Sequence, residues 1–269
     1  MTDPTASSSS ATQPTPEVQR TRWTYGDHAN QYAELFRPTS GVERGVVVLL
    51  HGGFWRGIYY ADQTVGLAVD LVSRGFAAWN LEYRGVGDGG GWPATFADVA
   101  AGIDLLADAG DLNLDQVITV GHSAGGQLAV WAAARAGLPA SASGSAPVVA
   151  VTGAVSMAGV LDLTTAAQTG LGGGATTDLL GGGPDDVPDR YAVADPMRRL
   201  PLGVPTVAVH ARDDDVVPFG YSEGFVAAAT AAGDRSALVE VYGGHFDVID
   251  PATDAWGAVA GAVTALVAG

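Results

Sequence analysis

A mostly parallel β-sheet with helices on both faces is the fold class predicted for this chain, and three observations predict it. Short β-branched apolar runs alternate with longer amphipathic ones along the whole length. The run at 45–50 is continuously apolar, as a strand covered on both faces must be. With 269 residues, 47% of them hydrophobic, the chain can bury one large core.

The elements follow in order. Residues 1–19 contain a serine run and three prolines but hardly any large apolar side chain, so they cannot bury enough surface to fold and read as a disordered tail. The runs at 20–25 and 32–37 pair as an antiparallel hairpin. The strand at 45–50 ends in His51-Gly52-Gly53, the pattern at 62–74 is a helix closed by Gly75, and 76–82 is the next strand. A helix at 96–109 precedes a strand at 116–120, a helix at 124–136 and a strand at 148–156. The stretch 158–202, rich in Gly and Pro, reads as an irregular, lid-like segment. Strand 206–210, helix 221–232, strand 237–242 and helix 252–267 complete one domain spanning 20–269. The glycine-rich pieces at 85–91 and 170–183 read as loops within it, and there is no internal repeat.

Composition excludes several chemistries. There is no cysteine, hence no disulfide, thiolate metal site or cysteine nucleophile. All 13 basic residues are arginine, which removes Schiff-base, P-loop and Ser-Lys chemistry together. The net charge of −16 repels phosphate backbones, so nucleic acid is not an expected partner. No stretch has the length of a membrane span, and the first residues lack a basic start and an apolar segment, so the expectation is a cytoplasmic protein. No His, Asp and Glu cluster has metal-ligand spacing, and neither a metal nor an organic cofactor is expected. The expected partner is a small-molecule ester or amide, with a homodimer as the assembly considered.

Gly121-His122-Ser123-Ala124-Gly125 carries the most chemistry. It is a G-x-S-x-G pentapeptide between a β-branched run and a helical one, and a serine there sits on a sharp strand-to-helix turn with its hydroxyl at the carboxyl end of the sheet. Such a hydroxyl needs a base to remove its proton and a third group to hold the base. Of five histidines, His28 lies in the hairpin turn, His51 and His122 sit inside glycine motifs and His210 ends a strand. His245 remains, in a loop between the last strand and the last helix, in the order Ser, Asp, His. The acid is expected among Asp213, Asp214 and Asp215, of which at most one can point inward because adjacent like charges resist joint burial. Asp214, four residues before Pro218, is the choice and Asp215 the runner-up. Asp162, an alternative, reads more simply as a helix N-cap.

Charge developing on a carbonyl oxygen requires fixed donors. The amide of Ala124 is one, and the His51-to-Trp55 turn supplies the rest. The strand order, the elbow at 121–125, the Asp-x-x-Val-Pro at 214–218 and the Gly-Gly-His at 243–245 resemble the α/β-hydrolase superfamily. His51-Gly52-Gly53-Phe54-Trp55 is similar to the H-G-G-x-W motif of the arylformamidase (kynurenine formamidase) group, related to hormone-sensitive-lipase-like esterases. That resemblance implies Gly53 and Phe54 as the remaining oxyanion donors.

The expected activity is that of a serine hydrolase acting on a short-acyl ester or activated amide. Lactone, carbamate or small-peptide ester hydrolysis on the same triad is the enzymatic alternative, and a non-catalytic small-molecule receptor the other. Phe54, Tyr60, Trp92 and Phe246 are the expected substrate-binding side chains, while Trp55 and Tyr59 read as core packing. Arg84 reads as half of a buried ion pair with Glu82 or another acid.

Overall fold

The computed structural model describes residues 17–39 and 41–269. Most of the tail expected at 1–19 therefore lies outside the described residues; Val18 and Gln19 already belong to the first strand.

Eight strands form one sheet in the order β1-β2-β4-β3-β5-β6-β7-β8. β1 (Val18–Thr24) and β2 (Tyr32–Pro38) are the antiparallel hairpin, and β2 joins β4 (Ala77–Leu81) antiparallel. From β4 onward all pairings are parallel, through β3 (Val46–Leu50), β5 (Val117–His122), β6 (Gly153–Met157), β7 (Thr206–Ala211) and β8 (Ser236–Val241). Six carboxyl ends consequently open on one edge, and every loop of the candidate site leaves from that edge.

Side chains on a strand alternate between faces, so each apolar strand feeds two cores. Val46, Val48 and Leu50 of β3 enter one. There they meet Phe96 and Val99 of α2 (Ala94–Asp104), Leu128 and Trp131 of α3 (Ala124–Ala133), and Phe225 of the helix that follows β7. Val47 and Leu49 enter the other, with Leu67 and Leu71 of α1 (Val65–Ser73) and Trp256, Val259 and Val263 of the C-terminal helix.

Two expectations are corrected. The stretch 158–202 is helical for much of its length: α4 (Leu163–Thr169), α5 (Leu171–Leu180) and α6 (Pro188–Ala194) precede a 3-10 turn at Pro196–Arg199. Each helix is short. Gly170 and Gly181 take left-handed conformations at the two ends of α5, and Gly172, Gly173 and Gly174 have positive φ inside it, which is why no helical period is legible. The strand expected at 148–156 begins only at Gly153. Val148 is exposed, and the amides of Val148 and Val149 both donate to Asp104, which holds that segment as a loop. The remaining helices, α7 (Gly220–Ala231) and α8 (Asp254–Ala268), lie where expected.

Candidate active site

β5 carries Ser123 to the sheet edge. Its backbone, at φ 54° and ψ −117°, occupies a region that only a braced turn holds, at a cost of about 1–3 kcal/mol. The Ser123 amide donates to the Met157 carbonyl at 2.8 Å, and Gly126 N returns to the Ser123 carbonyl at 2.9 Å. The flanking glycines are required by contact: a Cβ on Gly125 would run into the carbonyls of Leu50 and His51, and one on Gly121 into the Gly125 carbonyl. Ser123 is only 2% exposed.

A cavity of about 90 Å³ covers it, walled by Gly53, Phe54, Tyr59, Gln63, His122, Ser123, Val216, His245 and Phe246. His245 Nδ1 lies 2.7 Å from Asp214 Oδ2. The Asp214 side chain is wholly buried, whereas its neighbours Asp213 and Asp215 are exposed, so Asp214 is the one of the three that faces inward beside His245. Burial alone would raise the Asp214 carboxyl, but hydrogen bonds from His210, His245 and the amides of Val217 and Val216 outweigh it and hold the group well below the usual carboxylate range.

The loop after β3 is built under strain. Gly53, Phe54 and Trp55 have φ of 111°, 52° and 56°, three successive residues in the left-handed region, two of them aromatic. Four ties hold them there. Arg56 N donates to the Gly53 carbonyl, Val86 N to the Trp55 carbonyl, the buried Trp55 indole to Gln127 Oε1 on α3, and Tyr83 OH to the His51 carbonyl. His51 stacks on Tyr83 with centroids 4.3 Å apart, and its Nε2 lies 3.0 Å from the buried Glu82 Oε1. Glu82 also accepts the amides of Ala61 and Tyr83, so His51 is an anchor beneath the loop. Among the described residues, none accepts a hydrogen bond from the backbone amides of Gly53, Phe54 or Ala124. The arrangement can therefore offer free N–H donors beside Ser123.

Two histidines with no assigned role in the sequence reading border the site. His122 Nε2 lies 2.8 Å from the backbone carbonyl oxygen of His245, and the two rings are 4.5 Å apart. Burial first, and then the nearby charge of His245, push the His122 imidazole from 6.5 down to about 3. His210 Nε2 lies 3.1 Å from Asp214 Oδ2 and 3.0 Å from the Val217 carbonyl. Neither contact was announced locally: His210 lies near the end of β7 and Asp214 in the turn beyond it, where a four-residue separation fixes no side-chain pairing, and the His122 contact spans 123 residues.

Of the expected substrate-binding side chains, Phe54 and Phe246 wall the cavity, Phe246 at 63% exposure at its mouth. Tyr60 and Trp92 do not. Tyr60 OH donates to the Gly57 carbonyl, and Trp92 packs edge-on against Phe96 of the core. Tyr59 takes the place expected of Tyr60: it is half-exposed and walls the cavity, against its expected core role. Trp55 is buried as expected. Arg84 does form an ion pair, with Asp98 and not Glu82. Asp162 caps α4 by accepting the Thr165 amide. Among the described residues, no group of three or more His, Asp or Glu side chains could hold a metal, and no helix is long and apolar enough to cross a membrane.

The family described as BD-FAE matches this chain over residues 34–228. No curated protein matches. Solved structures do. A truncated carbohydrate esterase from gut microbiota superposes with a TM-score of 0.80 at 19% identity, over 96% of this chain and 99% of that one. A bacterial heroin esterase gives 0.73 at 21% identity, over 93% and 84%. A thermophilic esterase from the Planctomycetes species Thermogutta terrifontis gives 0.71 at 21% identity, over 94% and 92%.

Proposed function

The chain belongs to the BD-FAE family and has the α/β-hydrolase fold, and on that premise we propose that it is a serine hydrolase cleaving short-acyl carboxylic esters. One observation carries the reading. The imidazole bonded to the buried Asp214 carboxylate belongs to His245, which walls the same small cavity as the elbow serine.

With Nδ1 held by Asp214, Nε2 of His245 is the ring nitrogen left to take a proton. Ser123 Oγ attacks the carbonyl carbon and its proton passes to His245 Nε2. The tetrahedral oxyanion accepts the amides of Gly53, Phe54 and Ala124, which among the described residues have no acceptor to surrender. His245 returns the proton to the leaving oxygen, an acyl-Ser123 ester remains, and a water activated by the same base releases the acid. Asp214 stays ionised throughout, consistent with its depressed pKa.

The cavity of about 90 Å³ accommodates a small acyl group, and Phe54, Tyr59 and Phe246 offer flat apolar surface to a leaving group at its mouth. That the three superposed structures are named esterases agrees with this reading. A second reading, cleavage of formanilides, rests on the similarity of His51 to Trp55 to the arylformamidase motif.

Purified protein assayed on p-nitrophenyl acetate, formanilide and N-formylkynurenine, beside Ser123→Ala, tests both. Turnover of the acetate ester that is lost in the variant is expected. Inert formanilides would remove only the second reading, and an inert ester would remove the first.

A further inference from the structure

Asp214 is saturated. A carboxylate has about four lone-pair sites, and here Oδ1 takes the amides of Val216 and Val217, both at 2.8 Å, while Oδ2 faces two imidazole nitrogens, His245 Nδ1 at 2.7 Å and His210 Nε2 at 3.1 Å. His210 is wholly buried, and its proton can be placed by elimination. Among the described residues Nε2 faces only acceptors, Asp214 Oδ2 and the Val217 carbonyl, so it must donate; Nδ1 lies 2.8 Å from Ser222 Oγ on α7, a hydroxyl able to donate to it.

We propose that His210 is a positioning residue of the hydrolytic reaction: by donating Nε2–H to Asp214 Oδ2 it leaves that oxygen a single direction in which to receive His245. The inference rests on the esterase reading of Ser123, Asp214 and His245. Without His210, Oδ2 has a free lone pair, and the carboxylate can turn about its Oδ1 anchors and carry the His245 ring with it. A misplacement of that kind is worth on the order of 10- to 100-fold in rate. The donor also draws charge from the oxygen that supports the His245 imidazolium. Removing it favours that imidazolium and displaces the acid limb of activity to higher pH.

The other titratable groups around the pair are few. His122 packs against the His245 ring from the elbow. Asp213, Asp215 and Arg212 share the Asp214 loop but are exposed, Arg212 pairing with Glu240, and Asp247 bonds the Gly244 amide. Phe219 and Ser222 also face the His210 ring.

The test compares His210→Leu, which removes the donor, with His210→Gln, whose amide nitrogen can stand in for Nε2. The rate of Ser123 labelling by a fluorophosphonate probe is followed against pH. His210→Leu should label on the order of 10- to 100-fold more slowly, with its acid limb at higher pH, and His210→Gln should recover most of the rate and the wild-type limb. Wild-type labelling by folded His210→Leu would overturn the proposal, as would equal impairment of both variants with an unmoved limb. Should His210→Leu fail to fold, nitrogen NMR of histidine-labelled wild-type protein decides, because His210 must carry a proton on Nε2 and a bare Nε2 would overturn the assignment. A wild-type protein that never labels would sink the esterase reading, whereas the NMR result would still judge the hydrogen bond.

Discussion

His122 Nε2 donates to the backbone carbonyl oxygen of His245 at 2.8 Å, so the residue before the elbow serine pins the loop that carries the imidazole facing it. Because burial pushes the His122 imidazole from 6.5 to about 3, the folded protein leaves it neutral across a window in which the unfolded chain protonates it. The stability attached to this group is therefore complete above pH 6.5 and lost as pH falls toward 3. Melting temperature measured between those limits should fall with acidification in the wild type. It should fall less in His122→Gln, which can keep a donor to His245 but does not titrate. Parallel curves would contradict the linkage.

The Asp214 loop sets one carboxylate inside and two outside. Asp214→Asn should lower kcat/KM on the order of a thousandfold or more, because an amide cannot both accept from His245 and support its charge. Asp213→Asn and Asp215→Asn should change it little. Steady-state kinetics on one short ester ranks the three, and a severe Asp215→Asn would move the assignment.

Glycine separates steric need from freedom. A Cβ on Gly52 would lie 2.8 Å from His122 Nδ1 and 3.2 Å from Ser123 Cβ, so Gly52→Ala should displace the elbow and remove most activity. Gly257, exposed within α8, has nothing among the described residues within 4 Å of an added Cβ, and Gly257→Ala should stabilise the protein by about 1 kcal/mol with activity unchanged. Thermal melts paired with esterase assays separate the two; an active Gly52→Ala would show that the elbow yields.

Acyl length reads the cavity. With about 90 Å³ over Ser123, kcat/KM should fall steeply from acetyl and butyryl to dodecanoyl p-nitrophenyl esters. Faster turnover of the long chains would mean that Phe54 and Phe246 move aside to open an apolar channel.

Much of this was legible from sequence because its signals are local. The buried run of β3 and the pentapeptide at 121–125 fix their own conformations, and the loops after β7 and β8 bring Asp214 and His245 together on the side where Ser123 lies. What escaped was set by tertiary contact. Tyr59 and Tyr60 are adjacent aromatics, and it is the Tyr59 ring that packs against Gly53 and walls the cavity. Trp92 lies half-buried against Phe96 of the core, and Arg84 took Asp98, whose two oxygens each lie 2.7 Å from the guanidinium. The helices at 163–194 were hidden by glycines that serve as caps and kinks, a composition that reads as loop.

The central claim is that Ser123 is a nucleophile activated by His245. Mass spectrometry of the intact protein after exposure to a fluorophosphonate probe, followed by peptide mapping, tests it most directly. One adduct located on Ser123 in the wild type, and none at comparable exposure in His245→Ala, is the expected result. An unlabelled wild-type protein, or labelling of Ser123 at the same rate without His245, would contradict it.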